Sequence, residues 1–138
     1  MSTEAEMLRR HGINPSAQRV AVARHVLKAS DHPSADEVLS RVREQFPMIS
    51  RGTIYNTLNL FVAKGLLRQV ALTGGRVVFD PNVEAHHHFI DESTGAIHDV
   101  PWEALRIEGV ESVKEYDVSD YQVVMRGRRK KRERTRTK

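Results

Sequence analysis

The chain has 138 residues, with 22 Lys and Arg against 18 Asp and Glu, seven His and no Cys. Domains usually run from roughly 50 to 250 residues, so this length predicts one domain or two small ones. Without cysteine there is no disulfide framework, thiolate nucleophile, thiolate zinc site or iron–sulfur cluster, and any metal must sit on nitrogen and oxygen ligands. No run of about 18 apolar residues occurs, and the opening MSTEAEMLRR lacks the apolar core of a signal peptide, which predicts a soluble cytoplasmic protein with no membrane partner.

The net charge of +4 is segregated along the chain. Residues 1–79 carry 11 basic and 6 acidic side chains, residues 80–125 carry 2 and 11, and residues 126–138 carry 9 and 1. A basic first half predicts a surface for a polyanion, while an acidic middle with three adjacent histidines predicts cations as partners. The closing stretch RGRRKKRERTRTK has no apolar side chain and is expected to stay unfolded. It reads either as a solvated tail or as an arm that binds DNA phosphates.

In chain order, a weak helix is expected over about residues 3–11. A second opens at Asn14-Pro15, with proline suited to a first helical turn, and aligns Ala17, Val20, Ala23 and Leu27. Ser34-Ala35-Asp36-Glu37 is a capping box, after which Ala35, Val38, Leu39, Val42 and Phe46 form one apolar face of a helix ending before Pro47. The next helix starts near Ser50, stacks Ile54, Leu58, Phe61 and Val62, and stops at Gly65. The period then changes from 3.6 to 2. Leu67 to Leu72 and Arg76 to Phe79 flank Thr73-Gly74-Gly75 and predict a β-hairpin.

Helices followed by a two-stranded hairpin describe a winged helix-turn-helix, whose last helix enters the major groove of double-stranded DNA. That helix presents Ser50, Arg51, Thr53, Tyr55, Asn56 and Asn59 away from its apolar face. With Arg19 on an earlier helix, these are the candidate DNA-contacting side chains.

His86, His87 and His88 are consecutive. On a strand His86 and His88 share one face and His87 takes the other. Asp91 to Gly95 reads as a turn, and Ala96 to Val100 returns; centring the hairpin between Ser93 and Thr94 puts His88 opposite Asp99. Two imidazoles and a carboxylate then converge, a donor set suited to Fe(II), Mn(II), Zn(II), Co(II) or Ni(II). The alternative is a solvated strand or a tag. The same constellation could serve a non-haem iron oxygenase, but no spare barrel of about 100 residues is left to enclose a substrate. No catalytic residue is assigned, and the chain reads as a regulator, not an enzyme. A nonspecific DNA-coating protein would account for the basic tail but not for the clustered ligands.

His32 to Glu37, the stretch Ser50 to Leu58, and Phe79-Asp80 followed by His86-His87-His88 and Asp99 resemble the ferric uptake regulator family of bacterial metal-dependent transcription factors. The resemblance covers roughly residues 8–127. It implies an α+β chain: a winged-helix DNA-binding domain over 1–79, a hinge at 80–85, and a small α/β dimerisation and metal-binding domain over 86–127, with 128–138 as a disordered basic tail. It implies a homodimer on a palindromic operator, acting as a repressor. Carried over residue by residue, the regulatory metal ligands are His32, Asp80, His86, His88 and Asp99, holding Fe(II) or Mn(II), or Zn(II) in purified protein.

Most relatives carry a structural zinc on two Cys-x-x-Cys pairs, which this chain lacks. A second site of some members, built on the middle histidine, is incomplete because Tyr121 stands in place of its last-strand histidine. His87 is left as a solvent-facing residue or a weak secondary ligand. Asp at position 99 resembles peroxide sensors, in which bound iron reduces peroxide and a ligand histidine is oxidised; His32 and His86 would be the targets. It also resembles cysteine-poor iron response regulators, for which iron or haem is the signal.

Of the remaining histidines, His11 and His25 read as packing or surface residues, and His98 should point away from Asp99. Trp102 should anchor the segment Glu103-Ala104-Leu105. A strand around Tyr116-Asp117-Val118 and Tyr121 to Met125 is expected to form the dimer contact, because its alternation leaves one apolar face to bury.

Overall fold

Among the described residues, four helices and a two-stranded hairpin build the first half of the chain, and a three-stranded sheet builds the second. The computed structural model describes residues 3–28 and 31–130, apart from the side chain of Thr73. The chain divides into two compact units between Glu84 and Ala85.

The helices are α1 (Thr3–Arg10), α2 (Ala17–Val26), α3 (Ala35–Val42) and α4 (Arg51–Ala63). Three begin the same way. Ser16, Ser34 and Ser50 are N-caps whose hydroxyls accept from the backbone N–H of Arg19, Glu37 and Thr53, satisfying donors that a helix start otherwise leaves exposed. At Ser34 the reciprocal arm is present, the Glu37 carboxylate accepting from the Ser34 N–H.

Leu8, Val22, Val26, Val38, Val42, Ile54, Leu58 and Phe61 are fully buried and form one core across the four helices. Each such side chain contributes about 1.5–3 kcal/mol relative to exposure. After Gly65, whose φ of 81° turns the chain out of α4, strands β1 (Arg68–Ala71) and β2 (Val77–Asp80) pair antiparallel, Arg68 opposite Asp80. Gly74 and Gly75 supply the positive φ values of the turn between them. The Phe79 N–H donates to the Pro33 carbonyl at 2.9 Å, tying this wing to the segment before α3.

Three helix details differ from the sequence expectation. Pro15 precedes the Ser16 cap and lies outside the first turn of α2. The buried side of α2 is Ala21, Val22, Ala23 and Val26, with Ala17 exposed. The run Val20-Ala21-Val22-Ala23 is apolar all round, so neighbouring α1, α3 and α4 select the buried side rather than the sequence period. Helix α3 ends at Val42; Phe46 packs only partly against the core, and the Arg43 guanidinium caps the following loop by donating to the Ile49 carbonyl at 3.2 and 3.3 Å.

In the second unit β3 (His86–Asp91) is central, β4 (Ile97–Pro101) pairs with it antiparallel, and β5 (Val124–Gly127) pairs with it parallel. A parallel neighbour requires a crossover. Residues 102–123 make it, with two short 3-10 turns, Trp102–Ala104 and Val110–Ser112. The strand expected around Tyr116-Asp117-Val118 is absent: these residues are exposed and irregular, and the strand begins only at Val124. Arg128, Arg129 and Lys130 are exposed and without regular structure; the rest of the expected unfolded tail lies outside the described residues. Among those residues no helix is long and apolar enough to cross a membrane.

Candidate metal centre and nucleic-acid face

Pairing of β3 with β4 sets His88 opposite Asp99 and His86 opposite Pro101, the register that centring the turn on Ser93 and Thr94 predicts. Asp91 builds that turn: its Oδ1 accepts from the Ser93 N–H at 2.9 Å and the Ser93 hydroxyl at 2.5 Å. The two bonds hold the Asp91 carboxyl below its usual pKa. His86 Nε2 lies 3.3 Å and His88 Nε2 3.6 Å from the same Asp99 Oδ1. Both imidazoles are buried. Donor atoms about 2.1 Å from a common ion are about 3.0 Å apart in octahedral and about 3.4 Å apart in tetrahedral arrangement, so this spacing fits a divalent cation held by nitrogen and oxygen.

His87 is a correction. It is buried, not solvent-facing, and its ring stacks on Trp102 with centroids 4.6 Å apart and planes 15° apart. Burial, and then its neighbours His86 and His88, lower its pKa. Trp102 in turn packs against Tyr121 at 4.8 Å, so this tryptophan bridges β3 and the end of the crossover. Gln122, which the sequence reading did not single out, places Oε1 2.9 Å from His88 Nδ1. No local pattern signals that contact, which spans 34 residues of chain.

In the first unit His32 and Asp80 form a second buried pair, His32 Nε2 lying 3.0 Å from Asp80 Oδ2. Asp80 closes β2, and its Oδ1 accepts from the Asn82 N–H at 2.9 Å, which orients Oδ2 toward the histidine. His32 has φ of 52°, the one non-glycine residue with positive φ among the described residues. Such backbone strain costs about 1–3 kcal/mol and collects at functional sites. His98 pairs with Phe89 and takes the face opposite Asp99, while His11 Nδ1 bonds the Met7 carbonyl at 2.8 Å.

The candidate DNA-contacting residues fall into separate places on the first unit. Arg19, Thr53 and Asn56 line one cleft of about 370 Å³ between the start of α2 and α4. Tyr55 lines another of about 440 Å³, bounded by Asn59, the start of α3 and Arg76 of the wing. The Ser50 hydroxyl caps α4 and shares a 2.8 Å bond with the Thr53 hydroxyl. Arg51 is exposed and pairs with Asp36 at 2.6 Å.

A winged helix joined to a unit bearing a histidine and aspartate cluster fit for a cation defines a metal-responsive, DNA-binding transcriptional regulator. The ferric uptake regulator family profile matches residues 10–126, and the chain belongs to that family. It is 33% identical over 122 residues to the peroxide-responsive repressor PerR of Staphylococcus aureus, covering 87% of this chain and 82% of that protein. Among solved structures it resembles the manganese-containing ferric uptake regulator of Pseudomonas aeruginosa, with TM-score 0.67 and 27% identity over 94% of this chain and all of that one. It also resembles the peroxide stress regulator of Campylobacter jejuni, with TM-score 0.64 and 25% identity over 95% and 98% of the two chains. Regulators of this family bind DNA and are dimeric.

Proposed function

We propose that the chain is a homodimeric repressor that reads a palindromic operator and releases it when peroxide oxidises a ligand histidine. The observation that carries this reading is the pair of buried Nε2 atoms at ligand spacing from one Asp99 oxygen, in a donor set without sulfur. The 33% identity to a peroxide-responsive repressor supports peroxide as the signal.

His32 and Asp80 of the winged helix and His86, His88 and Asp99 of the second unit are assigned to a single Fe(II) or Mn(II) per subunit. Only residues 81–85 separate Asp80 from His86, so the two ends are at most about 22 Å apart even in extended chain. Ligands drawn from both units make the linker a hinge and fix the angle between the domains. In a dimer this sets the spacing of two recognition helices, which must match half-sites about 34–36 Å apart or a multiple of it. Metal and operator binding are then reciprocally linked, typically by about 1–3 kcal/mol.

A bound Fe(II) would activate peroxide, a two-electron oxidant, so that one of its oxygens adds to a neighbouring imidazole carbon and the other leaves as water. His32 and His86 are the residues proposed to take up oxygen. An oxidised ring is a poor ligand, the hinge loosens, and the repressor leaves DNA. Mass spectrometry of Fe(II)-loaded protein after peroxide tests this: the peptides carrying His32 or His86 gain the mass of one oxygen atom. If both stay unmodified while iron or haem alone switches DNA binding, the iron-responsive reading replaces it. His32→Ala should abolish metal-dependent DNA binding; unchanged dependence removes the hinge clamp.

A further inference from the structure

Two successive residues at the end of the crossover reach two successive histidines of β3. Gln122 Oε1 lies 2.9 Å from Nδ1 of His88, and the Val123 N–H donates to Nδ1 of His87 at 2.9 Å. The Val123 carbonyl also accepts from the His88 backbone N–H at 3.0 Å, which fixes the strap against the strand.

These partners have opposite polarity. An amide carbonyl oxygen only accepts, so it selects a proton on Nδ1 of His88 and leaves the lone pair on Nε2. A backbone N–H only donates, so it selects a lone pair on Nδ1 of His87 and places that ring's proton on Nε2. The ring proton is thus drawn to Nδ1 by Gln122 at 2.9 Å, a closer approach than the 3.6 Å from Nε2 to Asp99. His87, stacked on Trp102, points to the opposite face of the strand.

We propose that the Gln122-Val123 strap assigns different roles to identical neighbours. Gln122 is a positioning residue that presents the His88 Nε2 lone pair to a divalent cation, and His87 is a stacking pillar excluded from the metal. The inference rests on the reading of His86, His88 and Asp99 as ligands.

The test uses the full chain and Zn(II), a redox-silent probe, with affinity measured by competition against a chromophoric chelator. Imidazole tautomers are read in the metal-free protein by nitrogen–proton correlation NMR. The expected wild-type spectrum has His88 protonated on Nδ1 and His87 on Nε2. Gln122→Leu should shift His88 toward the other tautomer and weaken Zn(II) binding about 10- to 100-fold, the usual effect of removing a ligand's hydrogen-bond partner. Gln122→Glu keeps an acceptor and should recover most of that loss. His87→Phe keeps the stack and should leave Zn(II) affinity within about threefold, since no ligand or ligand partner is removed.

If Gln122→Leu changes neither tautomer nor affinity while the wild type binds Zn(II), the positioning role alone is overturned. A loss with His87→Phe as large as that with Gln122→Leu overturns the exclusion of His87. A wild-type chain that binds no Zn(II) overturns the ligand reading, and the positioning role with it.

Discussion

Replacing Asp36 by Asn should tighten DNA binding. Arg51, at the start of the proposed recognition helix, holds Asp36 through Nη1 at 2.6 Å; to reach a phosphate it must release that carboxylate. Both side chains are well exposed, 64% and 62%, which places the pair in the range of about 0.2–1 kcal/mol measured for surface ion pairs. That penalty is removed in Asp36→Asn, so affinity should rise about 1.4- to 5-fold. The variant stays folded: Asp36 occupies the second position of α3, where loss of its charge costs about 0.3–1 kcal/mol of helix stability. Fluorescence anisotropy with a labelled duplex of random sequence, at one fixed salt concentration, measures the gain, since phosphate contacts dominate such binding. The same titration on Arg51→Ala and on the double variant isolates the pair. A loss of affinity in Asp36→Asn refutes the reasoning. So does an equal gain in the Arg51→Ala background, because the effect would then be general charge.

Ser34→Ala should cost about 0.5–2 kcal/mol in urea unfolding by uncapping α3, while Glu37→Gln should cost less, about 0.3–1 kcal/mol, because glutamine serves the same capping box and only the first-turn charge and its exposed contacts to Arg41 and Arg76 are lost. Leu58→Ala, at a fully buried site of α4, should cost about 2–5 kcal/mol, read in the same experiment. The Asp91 carboxyl is held below its usual value by Ser93, so it contributes stability above about pH 4 that is lost as pH falls through its folded value. Ser93→Ala should raise the Asp91 pKa in an NMR titration and flatten the acid limb of the stability profile; an unmoved Asp91 would discount the hydroxyl.

Strong local signals carried most of the fold. The capping box at Ser34, the helix start near Ser50 and the glycine-rich wing turn are contained within a few residues each, and the two-residue period of β3 alone separates His86 and His88 from His87, whereas α2 starts at the Ser16 cap and not at Asn14-Pro15. The register that sets Asp99 against His88 followed from one symmetrical turn. What was illegible depended on neighbours. Helix α2 is apolar on several sides, so its buried face is selected by what packs on it. Tyr116-Asp117-Val118 alternates like a strand but finds no partner there, whereas β5 forms three residues beyond Tyr121, against the far side of β3. Gln122 and the burial of His87 required two segments 34 to 36 residues apart to meet. His32 carried no local signal beyond family resemblance, because nothing in its immediate sequence indicates the pairing with Asp80.

The left-handed backbone at His32 sets selection for stability against selection for control. Glycine adopts φ near 52° freely, whereas a residue with a Cβ there gives up about 1–2 kcal/mol. A library of position 32 screened only for folding or heat resistance should therefore drift away from histidine toward glycine, with asparagine tolerated. Screened for metal-dependent control of a promoter, the same library should keep histidine and the strain with it. With His32 in its proposed role as a ligand, the gap between the two outcomes measures how much stability the chain gives up at one residue for that role.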